Sequence, residues 1–191
     1  MGDALPRILA GDGRELPHVT AVLRDAGLIS LDFVSEEARD RGSSVHAATH
    51  YLDEQDLDWS SLEDSRVRAA VQQYERFIAE ARPEILACEE PVRNEVLGYC
   101  GRLDRRVRIN GREGVLDIKG VCQSPWHGAQ LAGYAGCFDR PLARWNLYLS
   151  ADRYILVERK DRDDWKVFCA AVTLAHYRSK HGLTEPRPNA A

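Results

Sequence analysis

Apolar residues recur along this chain first at helical spacing and then, past Pro83, in alternation. Val67, Ala70, Val71, Tyr74, Phe77 and Ile78 fall three and four apart and predict a long helix over about 62–81, ended by Pro83. Upstream, residues 17–28 predict a short helix with Val22, Leu23 and Ala26 as its apolar face, Thr20 as its cap and Gly27 as its stop. Residues 35 to about 51 predict a second helix, with Glu36 and Glu37 placed favourably in its first turn. Gly42-Ser43-Ser44 interrupts that helix with side chains small enough to admit another segment, and 53–61 reads as an acidic connection. Alternation then predicts strands over 85–96, 99–109 and 115–119, the last two joined at Asn110-Gly111, a two-residue hairpin signal. Residues 126–138 return to helical spacing. Two further strands follow, 144–149 and 154–157, and a closing helix over 161 to about 181 offers Trp165, Phe168, Val172 and Leu174 for burial. This order predicts an α/β fold: a three-layer α/β/α sandwich with a central mixed β-sheet and helices on both faces. Residues 17–182 form the expected single domain, between a loosely packed arm at 1–16 and a disordered tail at 183–191.

At 191 residues, with 44% hydrophobic and 29% charged residues, the chain suits one globular core and not disorder. No apolar run approaches the roughly 18 residues of a membrane helix, and the N-terminus lacks the apolar core of a signal peptide. The cytoplasm is therefore the expected compartment, with no membrane partner. Five cysteines are scattered without a Cys-x-x-Cys pair, which supports neither a disulfide framework, nor a zinc ribbon, nor an iron–sulfur cluster. A net charge of −4 excludes a general basic coat for nucleic acid. Metal-binding acids would themselves lower the net charge, and a local basic groove can still hold phosphates. Arg102, Arg105, Arg106, Arg108 and Arg112 cluster around the hairpin, as such a groove or as a solvated strand face.

The hairpin brings the strand of Asp104 beside the strand of Asp117 and Lys119. Strand interiors disfavour these residue types, because a buried charge is costly unless paired or metal-bound. Three of them together mark a site, against the plainer reading of a strand-end aspartate and an exposed salt-bridged edge. Carboxylates from neighbouring strands suit a hard cation such as magnesium. A cation there can polarise a phosphoryl oxygen and acidify a bound water. Lys119 shares a sheet face with Asp117. Its neutral form lies about 4.6 kcal/mol uphill at pH 7, so Lys119 reads as a cation that orients water and stabilises transition-state charge. His46 and His50 fall four apart on one helical face, but Ala47 stands where a zinc protease needs its glutamate. His50 is a bystander or a phosphate contact. Arg41 either binds phosphate or pairs with Glu37, and Trp126 fills the core or stacks on a base.

Asp104, then Asp117-Ile118-Lys119, then Gln130-Leu131-Ala132-Gly133-Tyr134 resemble the PD-(D/E)xK nuclease superfamily. Arg41-Gly42-Ser43-Ser44-Val45-His46 and the stretch at 19–23 are similar to its RecB-like exonuclease branch, so the motifs span about 19–134. The proline of the family name is absent, Ser43 stands where threonine is common, and the cysteine set of the iron–sulfur members is missing. The resemblance implies a restriction-endonuclease-like fold in which Asp104 and Asp117 hold Mg2+ or Mn2+, joined by the Ile118 carbonyl and the His46 ring. It implies an acid near the metal at Glu90, with Glu89 as competitor, since alternation lets one of the two face the site. Gln130 would lie near Lys119 and the scissile phosphate, with Tyr134, Arg41, Ser43 and Thr20 contacting nucleic acid. The implied activity is a metal-dependent DNA exonuclease leaving 5′-phosphates, in repair, recombination or replication, on DNA with a free end. No helicase motif is present, so no ATP is expected. A phage-encoded nuclease working in a host cytoplasm fits so compact a chain. The competing readings are a structure-specific or restriction-type endonuclease on the same fold, and a non-catalytic nucleic-acid-binding module.

Overall fold

The computed structural model describes residues 8, 9, 13, 15–29 and 35–183. Most of the expected arm at 1–16, and the expected tail apart from Leu183, lie outside the described residues. In chain order the elements are α1 (Val19–Asp25), α2 (Glu36–Asp53), a 3-10 turn (Trp59–Ser61), α3 (Ser65–Ala81), β1 (Glu84–Asn94), β2 (Tyr99–Ile109), β3 (Arg112–Lys119), α4 (Trp126–Ala135), β4 (Ala143–Leu149), β5 (Tyr154–Glu158) and α5 (Asp163–His181).

The helix ends depart from expectation for local reasons. His18, not Thr20, occupies the N-cap position of α1, without a side-chain cap. The chain is held extended there, since Cys100 N–H donates to the Pro17 carbonyl and His18 bridges Cys100. Thr20 therefore falls inside the first turn. α2 runs unbroken through Gly42-Ser43-Ser44, capped by Ser35 and with Glu36 and Glu37 in its first turn. A Cβ at Gly42 would meet nothing within 4 Å, so among the described residues no other segment makes the expected close approach. α3 starts at Ser65 because the Asp64 carboxylate accepts from Arg66 N–H.

The sheet order is β1-β2-β3-β4-β5. β1/β2, β2/β3 and β4/β5 pair antiparallel, whereas β3/β4 pair parallel across the α4 crossover, which makes the sheet mixed. Asn110 and Gly111 both adopt positive φ (49° and 75°), the geometry that a tight two-residue hairpin requires. Val19 and Leu23 of α1, Leu131 of α4 and Phe168 and Val172 of α5 pack with Tyr99, Leu103 and Val115 on one sheet face. Tyr74 and Phe77 of α3, flanked by Val45 and Leu52 of α2, pack with Val107, Ile109, Leu116, Ile118 and Leu147 on the other. The three expected layers are present. Gly133 permits a close contact between α4 and α5 within one helical layer, because a Cβ there would lie 2.7 Å from the Phe168 ring. Among the described residues no helix is long and apolar enough to cross a membrane.

One irregularity positions the site. The β2/β3 ladder runs from Ile109↔Arg112 only as far as Arg105↔Leu116. Beyond it β2 continues along β1 to Tyr99, and β3 continues along β4 to Lys119. The strands part at Asp104 and Asp117. The alternation of β2 slips at the same place: Leu103 and Val107, four apart, pack on opposite sheet faces.

Candidate active site

Where the ladder stops, the Asp104 side chain replaces it. Its Oδ2 accepts the Ile118 amide at 2.7 Å, so this N–H stays satisfied although β2 has turned away. Ile118 thus enters the site's hydrogen bonding through its amide. His46 reaches across from α2, with Nδ1 3.4 Å from the same Asp104 oxygen. Glu89 of β1 completes a group in which one ligand atom from each of His46, Glu89 and Asp104 lies within 4.8 Å of the others.

The second acid is therefore Glu89 and not Glu90. Glu90 faces away and pairs with Arg106, Oε2 to Nε at 2.8 Å, and Arg106 also holds Glu113 at 3.1 Å. Glu89 has φ of 48°, a left-handed conformation that a non-glycine residue rarely adopts inside a strand. Burial, followed by the charge of Asp104, pushes its carboxyl above the ordinary range. Local backbone strain and like-charge crowding meet at the residue turned toward Asp104.

Asp117 is buried and both its oxygens are engaged. Lys119 Nζ donates to Oδ1 at 2.9 Å, and Asn146 Nδ2 donates to Oδ2 at 2.9 Å. Burial nonetheless pushes the Asp117 carboxyl up to about 6; the Lys119 charge opposes this and the Asp104 charge adds to it. Burial disfavours the Lys119 ammonium, but Asp117 and Asp104 together outweigh it and hold the amine protonated. One lysine thus serves two carboxylates and leaves an excess of negative charge. The Trp126 ring, half-buried on α4, lies 5.4 Å from Nζ and supports the ammonium against the core. Behind Asp117 the polar chain continues. Arg159 Nε donates to Asn146 Oδ1 at 2.8 Å, an Arg159 terminal nitrogen donates to Tyr148 O–H at 2.6 Å, and that hydroxyl meets His127 Nδ1 at 2.7 Å.

Gln130 is buried on α4, its Nε2 donating to Thr20 Oγ1 at 3.2 Å and lying 3.5 Å from the Tyr134 hydroxyl. Its Oε1 has no hydrogen-bond partner among the described residues. Two residues expected from sequence to contact nucleic acid make hydrogen bonds within the protein here. Tyr134 is only 6% exposed and lies behind Gln130, against the Cα of Gly101, where an added Cβ would come within 2.6 Å of its ring. Thr20 is likewise bound to Gln130. Ser43 is exposed, Arg41 stands 3.9 Å from Glu37, and both lie on α2 ahead of His46. His50 pairs with Glu54 at 3.5 Å and stays outside the donor group.

The arginine cluster resolves into neutralised pairs. Arg102 meets Glu89 at 3.0 Å, Arg106 meets Glu90 and Glu113, Arg108 meets Glu84, and Arg112 meets Glu158 at 2.6 Å. Arg105 is fully buried and belongs to no surface at all. The remaining members missed from sequence are Asn146, Arg159, Tyr148 and His127. Asn146 did leave a signal, as a lone amide in the otherwise apolar strand run Trp145-Asn146-Leu147.

A nitrogen and two carboxylates converging from α2, β1 and β2, with a crowded negative charge beside them, fit a hard or borderline divalent cation such as Mg2+ or Mn2+. No protein-family model matches the sequence, and no curated protein matches it. Among solved structures, the crystal structure of SSO0001 is similar over 88% of this chain and 77% of that one, at 18% identity and a TM-score of 0.41. A likeness of that size says nothing about activity.

Proposed function

We propose that this chain is a divalent-metal-dependent deoxyribonuclease that hydrolyses phosphodiester bonds, acting as an exonuclease from DNA ends and leaving 5′-phosphates. The observation that carries it is the convergence, at one fork in the sheet, of the donor group His46, Glu89 and Asp104 with the buried pair Asp117–Lys119. The resemblance of the 41–46 and 130–134 segments to RecB-like exonucleases favours end-dependent attack over internal cleavage.

His46, Glu89 and Asp104 would hold the cation, with Asp117 beside them, and a cation so held polarises the phosphoryl oxygen and acidifies water. The protein's own groups do the rest. Lys119 is protonated and fixed on Asp117, so its ammonium offers remaining N–H bonds to a water or to a non-bridging phosphate oxygen as charge accumulates there. Gln130 presents a carbonyl oxygen with no hydrogen-bond partner among the described residues, able to accept a hydrogen bond from the attacking water. Asn146 holds Asp117 from behind, so the carboxylate stays aimed while the substrate changes charge.

End-labelled single- and double-stranded DNA with MnCl2 tests this directly. Wild type should release labelled mononucleotides or short products, while Asp117→Ala, Lys119→Met and EDTA-treated wild type should not. Binding without cleavage by wild type would instead mark a nucleic-acid-binding module. Cutting of circular single-stranded DNA at a rate equal to linear would make the enzyme an endonuclease.

A further inference from the structure

Arg105 is the largest fully buried side chain in the described protein, and it carries a charge. It sits on β2 one residue past Asp104, on the face that Val107 and Ile109 share with α3. A buried guanidinium is weak evidence for stability, because an apolar side chain of similar volume often does as well there. What distinguishes it is where its planar fork points. Nε donates to Asp53 Oδ2 at 2.5 Å, and Tyr74 O–H fixes that carboxylate through both oxygens at 2.9 Å. One terminal nitrogen donates to the Asp104 backbone carbonyl at 2.7 Å and stands 3.7 Å from the Glu89 carboxylate. The other donates to Thr49 Oγ1 at 3.3 Å, and Thr49 in turn donates to the His46 carbonyl at 2.9 Å.

Each of the three candidate metal donors is therefore tied to this one side chain: Asp104 through its own carbonyl, Glu89 through its carboxylate, His46 through Thr49. The donors come from β2, β1 and α2; the ladder holds β1 to β2 here, with Cys88↔Arg105 and Glu90↔Leu103 on either side of Glu89 and Asp104, but α2 belongs to no ladder and must be tied to the sheet by side chains. His46, Thr49 and Asp53 recur at i, i+3 and i+7, so Arg105 grips α2 along the face that carries the histidine. We propose that Arg105, anchored by Asp53 and Tyr74, is the positioning residue that assembles the His46–Glu89–Asp104 donor group into a cation site. This rests on the metal-binding part of the function proposed above. Arg105 itself touches neither cation nor substrate.

The pair can be replaced without leaving a lone buried charge. In Arg105→Met/Asp53→Leu both charges go together, and such exchanges are often neutral for folding. The expected result is a melting temperature lowered by a few degrees, because the buried Tyr74 hydroxyl loses its partner, with Mn2+ affinity, measured by titration calorimetry on the metal-free full chain with MnCl2, lowered by about 10- to 100-fold, the range for lost support of metal ligands. A purely structural pair would shift the melting temperature and leave Mn2+ affinity unchanged; that result overturns the proposal. Thr49→Val is nearly isosteric and cuts only the arm to His46, and carries the test should the double variant not fold. Its affinity should fall by several-fold, and wild-type affinity would again refute the positioning role. Wild type failing to bind Mn2+ would remove both this inference and the metal-dependent function, whereas wild type binding Mn2+ alongside an unaffected double variant would remove this inference alone.

Discussion

Glu89 and Glu90 are neighbours in one strand, and the structure gives them opposite consequences when neutralised. Glu89→Gln removes one of two carboxylates crowded at the donor group. At their separation of up to 4.8 Å, two unit charges repel by about 3.5 kcal/mol at an effective dielectric constant of 20. Arg102, 3.0 Å from Glu89 but itself part-exposed and screened, offsets most of that. The residual sign follows from the raised Glu89 carboxyl: burial and Asp104 still penalise its ionised form. Metal-free Glu89→Gln should therefore be more stable than wild type, by about 0.5–1 kcal/mol, or about 1–4 °C in melting temperature for a chain of this size. With Mn2+ the order reverses. At a hundredfold excess over Kd, wild type gains about 2.7 kcal/mol. A variant binding about 100-fold more weakly gains only about 0.4 kcal/mol at the same concentration. Glu90→Gln leaves Arg106 still paired with Glu113, so it should cost about 0–1 kcal/mol and keep the full Mn2+ response. Scanning calorimetry in EDTA and in MnCl2 reads each of these quantities. Parallel Mn2+ shifts in wild type and Glu89→Gln, or loss of the shift in Glu90→Gln, would refute the assignment of Glu89.

Three further outcomes follow from the packing around the site. Asn146→Leu strands Asp117 Oδ2 and Arg159 Nε without their partners; we expect a loss of about 1.5–3 kcal/mol in urea unfolding, with kcat falling at least about tenfold and KM for DNA little changed. His127 is held neutral, its pKa lowered to about 3 first by burial and then by the charges of Lys119 and Arg159. Its folded pKa lies below the unfolded value of about 6.5, so stability is fully present above that pH and is lost between about 6.5 and 3, by about 2 kcal/mol at pH 5. His127→Asn cannot titrate, so the wild-type advantage measured in EDTA should shrink by that amount from pH 7.5 to pH 5, and a pH-independent difference would contradict the reading. Gly133→Ala pushes a methyl against Phe168, 2.7 Å away; the overpacking should cost about 1–3 kcal/mol in the urea midpoint.

The parts of this molecule that could be read in sequence are those fixed within a few residues. Asn110-Gly111 carries its own turn conformation, so the hairpin and the pairing of its two strands follow from local chemistry. Glu89 and Glu90 could not be separated, because alternation fixes that they face opposite ways and leaves open which one faces in. The answer lies in a left-handed residue and in Arg106, claimed by Glu90 and Glu113. Thr20 reads as a cap because threonine near a helix start usually is one. Only a bridge to Cys100, some eighty residues on, moves the helix start to Val19 and turns Thr20 onto Gln130.

Arg105 shows the same limit from the other side. It sits in an arginine-rich run that looks like a solvated face, yet it keeps the phase of Val107 and Ile109, which are buried. Its partner Asp53 ends a helix 52 residues earlier, where the sequence offers only an acidic connection. Asp117 and Asn146 repeat the pattern: each is a polar residue on the buried phase of a strand, and each is satisfied by a group from another element. A polar side chain on that phase cannot be stable alone, so its position in the alternation demands a partner without naming it. On the described strands, Arg105, Asp117 and Asn146 break the apolar phase, and the donor group, the lysine and the arginine relay are built around them. Departures from binary patterning thus locate the site, while the identity of each partner is left to the tertiary fold.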